Sequence, residues 1–320
     1  MSKYLNIYAF CKVIKGQENY VICDFQKKNL KHIPDTLALI IEQFKENEFV
    51  TVKNNFIDQK TVFNSYVNYL TQNKFAFFSD YRDEFIDIKD DFETPEIINN
   101  AILEYDFNKY NIISVLEQLD ELFCKYIEIR ILNFTIENLN YLADIFETTI
   151  LCGFRSIVVY LPYSETTESK IIYQKLKKYK KIHMIVFYNT TDKVKISSKI
   201  QNLQYIKSGI DEIRNKNFQE KNLIIDLNYF FEAQQKNPYY NKKVSIDYLG
   251  NVKNCIKNKS VFGNTNTHML ESIIKTKEFQ EFWNVSHDKI LKICNSELRY
   301  NKLVSNDLKK VSEHLYEIIE

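Results

Sequence analysis

In the first 80 residues, short alternating apolar runs give way to apolar positions at helical spacing. Residues 4–14 alternate loosely, Gly16 sits in a turn and Tyr20 to Asp24 supply a second short strand, so the pattern predicts a hairpin. A strand near Leu30 to Ile33 stops at Pro34. That proline opens a helix over Asp35 to Phe44 with Leu37, Ile40, Ile41 and Phe44 on one face. A second helix is predicted over Asp58 to Leu70, carrying Val62, Tyr66, Tyr69 and Leu70, and an aromatic strand over Lys74 to Phe78 follows. Residues 79–95 turn acidic and irregular, from Asp80, Asp83 and Glu84 through Asp87, Asp90, Asp91 and Glu93 to Pro95, and read as a linker.

From about residue 98 the pattern alternates between the two periods. Helices are predicted at Ile112 to Phe123, Ile136 to Phe146 and Glu168 to Tyr179, each followed by a strand, at Tyr126 to Leu132, Ser156 to Leu161 and His183 to Tyr188. Shorter strands are expected near Gln204 to Ile206 and Leu223 to Leu227. Such alternation predicts a parallel sheet, open or partly closed as a βα barrel. The tail departs from it, with a hairpin at 243–255 turning through Leu249-Gly250-Asn251 and helices near 268–282, 287–294 and 304–319.

Composition narrows the function classes. The formal net charge is +1, which gives no global electrostatic case for a nucleic-acid partner. No apolar run approaches the roughly 18 residues of a membrane span, and MSKYLNIYAF lacks a basic region leading into an apolar one, so a cytoplasmic protein without a membrane partner is expected. The six cysteines, Cys11, Cys23, Cys124, Cys152, Cys255 and Cys294, are scattered without a CxxC pair, as reduced structural thiols are. The five glycines are isolated, so no phosphate-cradling loop is encoded. No two histidines have metal-ligand spacing.

Three stretches carry a family resemblance: YAFCKVIKGQENYVICDFQKKNLKHIPDTL from Tyr8, YIEIRIL from Tyr126, and the tail NKKVSIDYLGNVKNC, FGN, FWNVSHDKI and ELRY. Together they resemble the SPASM-domain peptide maturases of grasp-with-spasm systems, in which ribosomally made precursor peptides are modified beside an ATP-grasp ligase. The resemblance runs over nearly the full length, and the tail is its most specific part. It implies an α/β protein in three parts: a winged-helix-like peptide-recognition module at 1–80, a partial βα barrel at 96–235 and a SPASM-like extension at 236–320.

The metal chemistry of that family has lost its ligands here. Tyr239 and Tyr240 stand where a cysteine precedes the NKK element, and Ser296 stands before Glu297-Leu298-Arg299-Tyr300 where another is expected. Cys255 keeps the place after the glycine turn, and Cys294 has no clear counterpart. A thiolate cage needs about four sulphur donors, so no cluster and no cofactor is expected. Asn133-Phe134-Thr135 follow the strand after which a radical S-adenosylmethionine enzyme carries its three cysteines. The chain therefore reads as a degenerate, pseudo-radical relative without catalytic residues.

The function this implies is that of a precursor-peptide binding component working with an ATP-grasp ligase. The peptide would add a strand to a groove formed by Leu30, His32, Ile33, Leu37 and Ile41. The alternative is an active maturase with a residual metal or acid–base site in the barrel near Glu128, Arg130 and Asp226. Period two places Glu128 and Arg130 on the strand face opposite Ile127, Ile129 and Ile131, where a structural ion pair is the plainer account.

Overall fold

The computed structural model describes residues 3–82, 85, 87–89, 92–191, 202–215 and 223–319. Asp83, Glu84, Asp90 and Asp91 of the acidic stretch lie outside the described residues. The chain forms two compact units, one built from residues 1–92, 218–238 and 285–320, the other from 93–217 and 239–284.

The first unit opens with β1 (Tyr4–Ile7), β2 (Cys11–Lys15), β3 (Tyr20–Asp24) and β4 (Asn29–Ile33), then α1 (Asp35–Glu46), α2 (Phe49–Asn55), α3 (Lys60–Gln72) and β5 (Ala76–Ser79). β2, β3 and β4 form an antiparallel sheet in that order, whereas β1 pairs only with β5. Pro34 precedes the first turn of α1, where its missing N–H costs nothing, and Leu37, Ile40, Ile41 and Phe44 are buried as expected. In α3 the core face is Phe63, Val67 and Leu70; of the predicted stripe Leu70 is buried, Tyr66 and Tyr69 are partly buried against the core, and Val62 is exposed. These side chains join Leu5, Ile22 and Phe75 in one apolar cluster.

The second unit alternates strand and helix from its start. β6 (Asn100–Tyr105), α4 (Ile112–Glu121), β7 (Tyr126–Ile131), α5 (Leu139–Thr148), β8 (Ser156–Pro162), α6 (Thr166–Leu176), β9 (Ile182–Tyr188), β10 (Leu203–Tyr205) and α7 (Ile210–Arg214) follow in sequence. The chain then contributes α8 (Leu227–Gln235) to the first unit, where the sequence pattern predicts a strand near Leu223 to Leu227. Leu223 keeps only an isolated bridge, and the Asp226 side chain caps α8 by accepting from the Tyr229 N–H.

Returning to the second unit, β11 (Lys243–Ile246), β12 (Asn251–Lys253) and β13 (Gly263–Asn264) extend the sheet, and α9 (Leu270–Ile274) and α10 (Lys277–Gln280) close it off. The result is an eight-stranded mixed sheet in the order β10-β9-β8-β7-β6-β11-β12-β13, parallel from β10 through β11 and antiparallel beyond. The fold class is therefore α/β with one large mixed sheet. Helices α4 and α5 bury Leu116, Leu119, Leu142 and Phe146. Ile127, Ile129 and Ile131 are buried on one face of β7, while Glu128 and Arg130 take the other.

The hairpin expected at 243–255 is present as β11 and β12. Its turn is held by Asp247, whose Oδ1 accepts from the N–H groups of Leu249 and Asn251 at 3.0 Å each. Gly250 sits at φ +83°, and a Cβ there would come within 2.8 Å of Thr265 Oγ1 and 3.2 Å of Tyr110 Cβ. Both the left-handed backbone and the lack of room demand glycine. Gly250→Ala should cost about 1–3 kcal/mol, as strain at a special backbone position does, read as a lowered urea midpoint. An unchanged midpoint would mean the turn relaxes freely.

The last predicted helix, 304–319, is instead a hairpin of β14 (Leu308–Lys310) and β15 (Tyr316–Ile318) in the first unit. Tyr316 is buried, and its carbonyl accepts from the Leu291 N–H at 2.8 Å, so the strand is fixed by a tertiary partner. Among the described residues no helix is long and apolar enough to cross a membrane.

Candidate functional site

The first unit contains a cleft of about 1000 Å³. One wall is the continuous run Leu5 to Lys15, taking in β1 and β2; the rest comes from α1, from Phe77, Arg82, Phe85 and Asp87, from α8 and from Arg299 and Tyr300. Aromatic rings line its walls. Tyr8 stacks on Phe10 with centroids 5.1 Å apart and meets Phe77 at 4.7 Å, and the Phe230 ring stands edge-on to Tyr300 at 5.4 Å. Five cationic side chains, Lys12, Lys15, Lys45, Arg82 and Arg299, line it against the carboxylate of Asp87, which pairs with Lys12 at 2.8 Å. Burial pushes the Cys11 thiol up to about 12, so it is an inert wall atom at neutral pH.

The backbone of β2 gives this cleft a recognition element. Phe25 N–H donates to the Phe10 carbonyl and Gly16 N–H to that of Asn19, which fixes the even-numbered residues of β2 as those bonded to β3. Cys11, Val13 and Lys15 therefore turn their peptide groups to the free edge. Cys11 N–H is taken by the Tyr8 carbonyl at 2.8 Å, and the Lys15 carbonyl accepts from Arg299 Nη1 at 2.6 Å. Val13 between them has no such bond among the described residues, and it lines the cleft.

The residues chosen from the sequence for this role sit differently. Ile33 and Leu37 are 5% and 1% exposed and belong to the core. Ile41 is buried too, yet it reaches the cleft lining. Leu30 packs against the cluster of Phe25 and Phe230, and its N–H is taken by Asn29 Oδ1 at 2.8 Å. His32 is exposed, with Nδ1 3.8 Å from Glu297 Oε1. β4 thus has a free edge whose first outward amide is already bonded, whereas the β2 edge is open at its centre.

In the second unit, Glu128 and Arg130 do come together, and they recruit residues the sequence did not single out. Arg130 Nε donates to Glu128 Oε1 at 2.6 Å. Glu104, on the adjacent strand and directly beside Arg130, accepts a bidentate pair from Arg214 at 2.6 and 2.7 Å. Asp226, the third member of the predicted barrel set, belongs to the first unit and serves as the cap of α8. Lys243 shares the Arg130 face of the sheet and is buried; its Nζ lies 3.8 Å from the Tyr239 ring centroid, and Tyr239 Oη is 3.4 Å from Cys255 Sγ. Burial lowers the pKa of Lys243.

Cys255 and Cys294 fall in different units, and no group of three metal-ligating side chains occurs among the described residues. Burial raises the thiols of Cys23 and Cys124 to about 12.

No family model matches the chain, and no curated protein matches it. Among solved structures it is similar to SuiB of Streptococcus suis. The form bound to S-adenosylmethionine aligns over 93% of this chain and 94% of that one, at 11% identity and a TM-score of 0.32. The form bound to the precursor peptide SuiA covers the same shares at 10% identity and 0.31.

Proposed function

We propose that this chain is a peptide-binding component of a ribosomal peptide maturation system, and that the peptide enters the β2 cleft as an added strand. The observation that carries this is the Val13 peptide unit, unpaired among the described residues at the centre of an edge strand that lines a cleft with aromatic walls. Strand addition draws its affinity from such main-chain groups and its selectivity from the pockets that receive alternate side chains. The excess of cations on the lining favours an acidic peptide and makes binding salt-sensitive.

The finer reading rests on the sequence resemblance. The β2-β3-β4 sheet with α1 and α3 would serve as a winged-helix-like leader-recognition module, the β11-β12 hairpin as the remnant of a SPASM-like extension, and an ATP-grasp ligase as the partner that acts on the bound precursor. The β2 edge replaces the β4 groove in this proposal because Ile33 and Leu37 are spent on the core.

The test is a fluorescence-anisotropy titration with the precursor peptide encoded beside the gene. Saturable binding is expected, weakening with added salt. Val13→Pro removes the outward N–H at a position an edge strand tolerates and trims the valine side chain, so a variant that keeps the parent's circular dichroism should bind about tenfold or more weakly. Absence of saturation, or a Val13→Pro variant that binds like the parent, rejects the site.

A further inference from the structure

We infer that the Arg130 face of the mixed sheet in the second unit binds one carboxylate group, held by Arg130, Ser245 and Lys243. This site is separate from the cleft and stands whether or not that proposal does.

Two buried donors on this face lack acceptors. Arg130 is 5% exposed; its Nε is used by Glu128, but its Nη1 stands 3.7 Å from Glu104 Oε1, beyond hydrogen-bond reach, and has no hydrogen-bond partner among the described residues. Ser245 is fully buried, and its Oγ has no hydrogen-bond partner among the described residues either. Buried polar groups are bonded in the large majority of cases, so two orphans on one face need an account.

The strand register puts them on one face of the sheet, two strands apart. Ser245 on β11 lies beside Ile102 on β6, which lies beside Glu128 on β7, and the period of two puts Arg130 and Lys243 on the same face as that row. Burial lowers the pKa of Lys243, with smaller effects from Cys255, Glu128 and Arg130. No carboxylate pairs with it within ion-pair distance among the described residues; its ammonium rests on the Tyr239 ring.

The charges point the same way. Arg130, Arg214 and Lys243 face Glu104 and Glu128 on or beside this surface, three cations against two anions, and Asp211, which also pairs with Arg214, is largely exposed. One carboxylate brings a single negative charge and two acceptor oxygens, which is what Arg130 Nη1 and Ser245 Oγ lack. A dianion such as phosphate would meet Glu104 and Glu128 at close range and be repelled. Ile102, Glu128 and Tyr160 are only partly buried, so the face is reachable.

The test titrates the full chain with acetyl-glycyl-alanine bearing a free C-terminal carboxylate, with the same peptide as its C-terminal amide, with glutaryl monoamide as a side-chain-like carboxylate, and with inorganic phosphate, by calorimetry. Saturable binding of either free carboxylate and none of the amide or phosphate is expected, the stronger of the two carboxylates naming the source. Ser245→Ala removes one donor and should weaken binding about tenfold; Lys243→Met, which keeps the stem, should do the same and gives a second reading where Ser245→Ala disturbs the strand. Equal binding of acid and amide, preference for phosphate, no binding at all, or folded variants that bind like the parent would each overturn the site, leaving ordered water as the partner of the two orphans.

Discussion

Glu104→Ala should destabilise the second unit by about 3–5 kcal/mol, the range measured when one member of a buried ion pair is removed. Glu104 is 1% exposed and is the anion between two guanidinium groups, bidentate to Arg214 and 3.7 Å from Arg130. Arg214 is 24% exposed on its side chain and can turn to water. Arg130, at 6%, cannot, and Glu128 alone would then hold its charge. The cost should be largely reversed in Glu104→Leu combined with Arg130→Met, because a buried charged network exchanged for apolar side chains of like volume is near neutral or stabilising. Glu128 remains solvated enough in that variant to stand alone. Chemical denaturation of both variants decides the matter. A single variant that loses under about 1 kcal/mol would show that water, and not Glu104, satisfies the arginines.

The charged half of this network was legible and its buried half was not, for a physical reason. YIEIRI on β7 alternates so cleanly that Glu128 and Arg130 must share a face. Glu104 lies in NAILEY, where buried Leu103 and Tyr105 flank it, and only the register of β6 against β7 brings it beside Arg130. Register is a tertiary fact. The cleft was hidden in the same way, since its wall gathers β1, β2, α1, α8 and the Arg299 region, segments far apart in sequence.

Misread elements fall where apolar residues come in adjacent pairs or where local period and tertiary pairing disagree. In α3 the pairs Val62-Phe63, Tyr66-Val67 and Tyr69-Leu70 fit two phases equally, and burial of Phe63 selects the second. In the C-terminal segment Leu308, Val311, Leu315 and Ile319 have helical spacing, yet Val311, Leu315 and Ile319 are exposed. The pairing of β14 with β15 wins because it buries Leu308 and Tyr316 while the Tyr316 carbonyl is taken by the Leu291 N–H, a tertiary bond. For α8 a signal was present: Asp226 stands where an N-cap belongs, just before Leu227 and the Phe230-Phe231 pair.

Acidification should destabilise the first unit in a step that belongs to His287. This imidazole is fully buried, and its Nδ1 lies 2.6 Å from the Arg299 carbonyl oxygen. A carbonyl only accepts, so Nδ1 carries the proton and Nε2 is the bare acceptor. Nε2 is buried without a hydrogen-bond partner among the described residues, and the Tyr229 ring faces the imidazole edge-on at 6.4 Å. Burial pushes the pKa of His287 down to about 4 from an ordinary 6.5, against smaller upward pulls from the Arg299 carbonyl and Asp288. The unfolded chain then takes up a proton that the folded chain refuses. Stability from this group is whole above pH 6.5, falls as the pH drops through the interval, and is exhausted below about 4. The loss amounts to about 3 kcal/mol. His287→Asn keeps a donor near the Arg299 carbonyl but cannot titrate. The melting temperature of the parent should fall more steeply than that of the variant between pH 6.5 and 4, and the two curves should run parallel above 6.5. Parallel curves throughout would mean that an acceptor reaches Nε2 once it is protonated, and that the imidazole is no acid sensor.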